Sequence, residues 1–320
     1  MPKLNAKRNI FILLSLICLL LIIFIQLSIP TEPAKYQHFK IAFDKDKLIN
    51  NPYFFLIEIL ILGCSIAIFY GFFNLISFII RNLKKPLFEF KNQDKPLPLS
   101  QEESSKLIFF IIFLALIIYF SQWLIVILKL KVNPLGAIVF SNLIIETGVI
   151  LIIVKYIKSS YLDFRLNTNR ALYTLKKYLT ILPILMGIIF INNFILEKLG
   201  IETSINPAIE LFLKIKNASL LSFLVFQIVF LGPVAEELFF RGFVYKVFRK
   251  KYGFLLSAFS SSLLFAILHR SNQDALPLLI LAICLCYIYE KTNNIISPIL
   301  FHIIHNSLNL SFLLLVKILV

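Results

Sequence analysis

Charge is scarce in this 320-residue chain: Asp, Glu, Lys and Arg make up 15% of it, against about 25% in soluble globular domains. The apolar set AVILMFWYC reaches 59%, a composition that excludes a water-soluble domain. Cysteine is equally sparse. Cys18, Cys64, Cys284 and Cys286 all lie in apolar segments without paired metal-ligand spacing, so they read as small core residues and say nothing about redox compartment. There is no glycine-rich phosphate loop and no internal repeat. An Ala-x-Ala-like site is also missing after the first apolar stretch, Ile10 to Ile29, which follows Lys3, Lys7 and Arg8. An uncleaved first helix is therefore expected instead of a removed signal peptide.

What the chain has in abundance is apolar runs of about 20 residues, enough at about 1.5 Å per residue to cross a hydrocarbon core of about 30 Å. They predict spans near 10–29, 53–80, 107–128, 135–154, 178–197, 218–240, 254–270, 275–289 and 295–316. The fold class is thus an all-α polytopic transmembrane bundle of about eight or nine spans. The shortest run, 275–289, would need tilt or local bilayer thinning and is expected to leave a lateral opening for substrate.

The formal charge of +15 does not point to nucleic acid, because the basic residues sit between apolar runs and not on one folded face. The N-terminus, Arg81 to Lys85, Lys155 to Lys177 and Lys246 to Lys251 alternate onto one side of the bundle, which should be cytoplasmic. That places the N-terminus in the cytoplasm and the protein in the cell membrane. A polar stretch from Pro86 to Lys106, with three prolines and Glu102 and Glu103, reads as a surface loop. The expected divisions are N-terminal helices and loop over 1–106, further helices over 107–216, and a catalytic helix core over 217–316.

Ionisable groups inside spans are costly, so each is a functional candidate. Glu237 and Arg241 stand four apart on a helix, acid first, the better orientation for an ion pair. Glu236 lies about 100° around from Glu237 and about 140° from Arg241, so it needs another partner. Pro233 removes a helical donor and opens the turn below it. The same cluster would also serve simply to hold a helix end at the interface. His269, one turn after Phe265, could equally cap its span beside Arg270 and Asn272. His302 and Asn306, with His305 and Asn309 near the same stripe, must face the bundle interior, either as interhelical glue or as a site. A hairpin turning near Lys251 would set Glu236 and His269 at one depth, and a second turn near Asn293 brings His302 close to it.

These residues form three spaced motifs: Glu236-Glu237-x-x-x-Arg241, Phe265-x-x-x-His269 and His302-x-x-x-Asn306. In that order, each in an apolar helix, they resemble the CAAX prenyl endopeptidase type II family, also called the CPBP or Abi family of intramembrane proteases. The resemblance covers about residues 217 to 310, and Pro298 and Tyr289 to Thr292 also look like the family's pattern. Leu281 to Cys284 departs from it, since relatives often carry packing glycines there. The resemblance implies an intramembrane endopeptidase in which Glu236, with His269, activates water. His302 and Asn306 would donate to the oxyanion, with Glu237 and Arg241 in support. It implies membrane-associated peptide or protein substrates, among which prenylated ones are one option, and no cofactor.

A zinc peptidase using Glu236, His269 and His302 is the second choice, although Asn306 is a poor zinc ligand and His-Glu-x-x-His is absent. Neither a Gly-x-Ser-x-Gly elbow nor a Gly-x-Gly-Asp segment is present. The rival from another class is a non-proteolytic membrane partner or an ion-coupled transporter, which Glu58 and Glu146 would serve.

Overall fold

A computed structural model describes residues 2–28, 54–82, 99–128, 131, 133–157, 162–165, 167–201, 207–269, 271 and 273–319. The connection 29–53, most of the polar stretch after Asn82, and Arg270 and Asn272 lie outside the described residues. Ten helices make up the described fold: α1 Pro2–Ser28, α2 Phe54–Asn82, α3 Gln101–Ile127, α4 Pro134–Tyr156, α5 Thr168–Lys198, α6 Pro207–Lys214, α7 Ala218–Arg249, α8 Phe254–Leu268, α9 Ala275–Thr292 and α10 Ile296–Leu319. The chain is an all-helical, multi-pass integral membrane protein.

Six of these helices, α1, α3, α4, α5, α7 and α9, are long and apolar enough to cross a membrane, and Ile61–Ser77 and Phe254–Leu268 are shorter apolar helices. The 24-residue α10, Ile296–Leu319, carries the stripe of His302, His305, Asn306 and Asn309 in an otherwise apolar helix. The short α6 answers to no predicted span.

Helix starts follow side-chain chemistry. Asn133, Asn167 and Asn217 cap α4, α5 and α7, their side-chain oxygens accepting from backbone N–H groups of the first turn, which satisfies donors that have no intrahelical partner. The expected loop over 86–106 ends sooner than the composition implied. Ser100 Oγ accepts from the Glu103 N–H and Glu103 returns a bond to the Ser100 N–H at 2.8 Å. This Ser-x-x-Glu capping box makes the acidic patch the first turn of α3.

Helix α1 packs on α3, and α2 on α5, outside a centre built from α4, α5 and α7 to α10. Gly71 lets α2 press against α5 so closely that a Cβ there would fall on the Leu179 carbonyl. In the centre, Leu107, Val149 and Ile153 pack against Ala235, Leu238, Phe243, Cys286 and Tyr289. The short span expected as a lateral doorway is a full 18 residues, Ala275–Thr292, and is the most buried of the six. It packs centrally, against α5, α8 and α10. The shortest long-axis helix is α8, with 15 residues and an exposed apolar face of Leu255, Leu256, Phe259, Leu263 and Ile267.

Two tight turns hold the three motif helices in register. Residues 250–253 separate α7 from α8, at the hairpin placed near Lys251, and Asn293 closes α9 in the left-handed conformation at φ 46°. The second turn is clamped from below: the Ile295 N–H donates to the Asp163 carbonyl and Asn294 Nδ2 to the Arg165 carbonyl. Asp163 itself accepts from Arg165 Nε at 3.0 Å and lies 3.0 Å from Arg170 Nη1. The Arg165 guanidinium, first among its neighbours, holds this carboxyl well below the usual carboxylate range.

Candidate active site

Helix α7 is not a uniform α-helix. Two π turns, Gln227–Leu231 and Phe240–Val244, flank the segment Gly232–Phe239 that carries both glutamates. In the first, the Gly232 N–H reaches back five residues to the Gln227 carbonyl. The next residue in that register is Pro233, which has no N–H, so the Ile228 carbonyl loses its helical donor. Asn306 of α10 supplies the replacement, Nδ2 donating to the Ile228 carbonyl at 2.8 Å. A proline on one helix thereby dictates an asparagine contact from another. Such π turns concentrate at functional sites.

The two adjacent glutamates have opposite environments. Glu237 is fully buried, and its Oε1 accepts from Arg241 Nη1 at 2.8 Å and from His302 Nδ1 at 2.9 Å. Arg241, equally buried, spends Nη2 on the Ala282 carbonyl at 2.9 Å and lies over the Phe265 ring. Glu236 keeps a third of its side chain exposed, with Oε2 3.8 Å from His302 Nε2. His302 is thus held between the two acids, with Nδ1 donating to Glu237 and Nε2 facing Glu236.

His269 closes the C-terminus of α8, its Nδ1 bonded to the Phe265 carbonyl at 2.7 Å. That bond directs Nε2 outward, away from its own helix. Phe265 is the hub of this corner, with the rings of His269 at 4.4 Å, Phe240 at 5.0 Å and His302 at 6.1 Å. The structure therefore joins Glu236, Glu237, Arg241 and His302 directly. It brings His269 to them through a shared aromatic ring, and seats Asn306 one turn further on against the π turn. Capping, the alternative for His269, and interhelical bonding, the alternative for Asn306, are both present in the geometry. Asn306 retains one amide N–H beyond the one given to Ile228.

His305 faces elsewhere. Its Nε2 bonds Asn309 at 3.0 Å and its ring meets Tyr178 of α5 edge-on, as structural glue. Ser257, Ser261 and Ser262 are buried, and Ser261 Oγ donates at 3.3 Å to the Phe240 carbonyl, which also accepts the Tyr245 N–H of the second π turn, a small-residue helix contact. Ala282, where relatives often place glycine, is buried and close enough to offer its carbonyl to Arg241. Among the described residues, no group of three or more His, Cys, Asp or Glu side chains is placed to hold a metal ion, so the zinc set Glu236, His269 and His302 is not assembled as a ligand shell.

Two residues belong to this site without lying in any motif. Glu146, on α4, packs beside Gly232: a Cβ built there would come 3.5 Å from Glu146 Oε1. Gln227 bridges the same seam, Nε2 donating to the Val139 carbonyl of α4 at 2.7 Å. Glu146 was legible only as a costly mid-span acid. Nothing in its local sequence tied it to a glutamate ninety positions away. Glu58, the other such acid, is exposed on α2.

The fold defines the class, a multi-pass helical membrane protein with an acid–histidine cluster between α7, α8 and α10. Residues 218–308 match the family model described as Type II CAAX prenyl endopeptidase Rce1-like. Among curated relatives, UPF0177 protein YxdF of Lactococcus lactis subsp. lactis (strain IL1403) is 32% identical over 134 residues, covering 39% of this chain and 72% of that protein. UPF0177 protein YaiF of the same strain is 29% identical over 140 residues, covering 42% of this chain and 62% of that protein. No solved structure matches. The chain belongs to the CAAX prenyl endopeptidase type II (CPBP) family.

Proposed function

We propose that the protein is an intramembrane endopeptidase, hydrolysing peptide bonds of membrane-associated substrates with water activated by Glu236. The observation that carries this reading is the division of labour between neighbouring acids: Glu237 is buried and committed to Arg241 and His302, while Glu236 stays open and 3.8 Å from His302 Nε2. A carboxylate left accessible beside one spent on fixed partners is the one free to take a proton from water.

In this mechanism Glu236 accepts a proton from water and the resulting hydroxide adds to the scissile carbonyl carbon. Negative charge develops on the carbonyl oxygen, where the remaining Asn306 N–H donates to it, joined by His302 Nε2–H in the doubly protonated form of that ring. Glu236 then returns the proton to the leaving amine, and the C–N bond breaks. His269 Nε2 flanks the water, and Glu237 with Arg241 holds His302 in its working orientation. The substrate is a protein or peptide attached to or embedded in the bilayer, with a prenylated chain as one class. The N-terminus faces the cytoplasm, as the basic segments require.

The test is cleavage of membrane-anchored peptides by purified protein, with Glu236→Gln as the control. The reading expects loss of cleavage by at least about 100-fold on removing the general base, with insertion unchanged. Exhaustive chelation should leave the wild type active, and chelator-sensitive cleavage restored by zinc would overturn the metal-free mechanism. A protein that binds its partner or transports ions equally well as Glu236→Ala would favour the non-proteolytic alternative.

A further inference from the structure

The seam between α4 and α7 places a second carboxyl beside the candidate base. Glu146 sits at the middle of α4, thirteen residues into a helix of 23, and its Oε1 approaches the surface of α7 at Gly232, where a Cβ would stand 3.5 Å from it. Gly232 lies four residues, about 6 Å, before Glu236. Residues four apart share a helix face, so the Glu146 carboxyl meets α7 on the face that carries Glu236, within electrostatic reach of it.

The surroundings of Glu146 contain nothing to balance a negative charge. No ion pair reaches it among the described residues, and its Oε2 is buried without a protein partner. The nearest guanidinium of the cluster, Arg241, is spent on Glu237 and the Ala282 carbonyl. An ionised carboxylate at mid-span, facing a second one, would carry both a desolvation cost and a like-charge cost. A neutral carboxyl carries neither and becomes a hydrogen-bond donor. A second oxygen on the same seam, Gln227 Oε1, is likewise buried and without a protein partner.

We infer that Glu146, a residue outside the family-matched segment, works as a neutral carboxyl that positions the water deprotonated by Glu236. This inference rests on the peptidase reading. Glu146 keeps its own proton throughout: the water proton passes to Glu236 and from there to the leaving amine. Glu146 contributes a donor that holds the water oxygen between the two acids, so its loss acts on turnover and leaves substrate binding largely intact.

The experiment uses the full-length protein in lipid nanodiscs as wild type, Glu146→Gln, Glu146→Leu and Glu236→Gln. Infrared spectra at neutral pH should show a protonated-carboxyl C=O band that disappears in Glu146→Gln and persists in Glu236→Gln. On a membrane-anchored peptide, Glu146→Gln, which keeps a donor, should stay within about threefold of wild type. Glu146→Leu should lose about 100-fold in kcat, the scale expected for a misplaced reactant, with KM nearly unchanged. A band that survives in Glu146→Gln, or full activity in Glu146→Leu, overturns the assignment. So does a Glu146→Gln protein as inactive as Glu236→Gln, which would make Glu146 itself the base. Absence of cleavage by the wild type overturns the peptidase reading and the role of Glu146 with it. Cleavage by the wild type combined with a band that survives in Glu146→Gln overturns the role of Glu146 alone.

Discussion

Glu236 and Glu237 differ in role because a helix turns about 100° per residue. One carboxylate points into the junction of α7, α8, α9 and α10, where Arg241, His302 and the Ala282 carbonyl complete a buried network. The other points to an accessible edge. The Glu237–Arg241 pair was legible from its spacing, since i and i+4 must share a face. The bond from His302 to Glu237 was not, because it joins residues 65 positions apart and depends on how α10 docks. Removing one partner of a buried ion pair leaves an uncompensated charge, so Arg241→Met should destabilise by about 3–5 kcal/mol, read as a fall in thermal unfolding temperature in detergent. Arg241→Lys should recover only part of that, since an ammonium cannot reach Glu237 and the Ala282 carbonyl as a planar fork does.

At the scale of elements, the sequence announced a break at Pro233 but not its form. A proline can kink a helix, end it or widen it. Here it occupies the one position whose missing N–H frees the Ile228 carbonyl for Asn306. Asn306→Ala should leave that carbonyl unpaired at a cost of about 1–3 kcal/mol. Pro233→Ala restores a donor next to it, so the double substitution should cost less than the sum of the two single ones, which a double-mutant cycle of unfolding free energies measures. Additive costs would show that proline and asparagine do not serve the same carbonyl.

The clamp beneath the α9–α10 turn gives a pH-dependent prediction. Asp163 has its carboxyl held below the unfolded value of about 3.9 by Arg165 and Arg170. Its stabilising contribution is therefore complete above that value and is lost as pH falls through the depressed folded one. Asp163→Asn should remove it at neutral pH as well. The pair is partly exposed, so the expected loss is at most about 1 kcal/mol. Differential scanning at pH 7 and pH 3 in wild type and variant tests the sign: the two proteins should differ more at pH 7.

For the whole molecule, hydrophobicity and length were enough to read a helical bundle in lipid, because apolar runs near 20 residues have few other solutions. The same criterion read α9 three residues too short. A run's apolar length counts only its uncharged residues, whereas Glu290 and Lys291 continue the helix to Thr292. Glu290 is sustained there by Tyr245 and Arg249 at 2.6 and 3.0 Å, contacts invisible in the local sequence. The lipid-facing element beside the site is instead α8, whose last residue leads into His269. Single cysteines at Leu263 or Ile267 of α8 should crosslink to a membrane-embedded substrate more than cysteines on α1 do, and the reverse ranking would place substrate entry elsewhere.

The central claim, that Glu236 activates water for peptide hydrolysis, is tested most directly by comparing the membrane-proteome termini of cells carrying wild-type protein with those carrying Glu236→Gln at equal abundance. A set of new peptide termini should be present with the wild type and absent with the variant, in which their uncut precursors accumulate. Identical termini in both would contradict it.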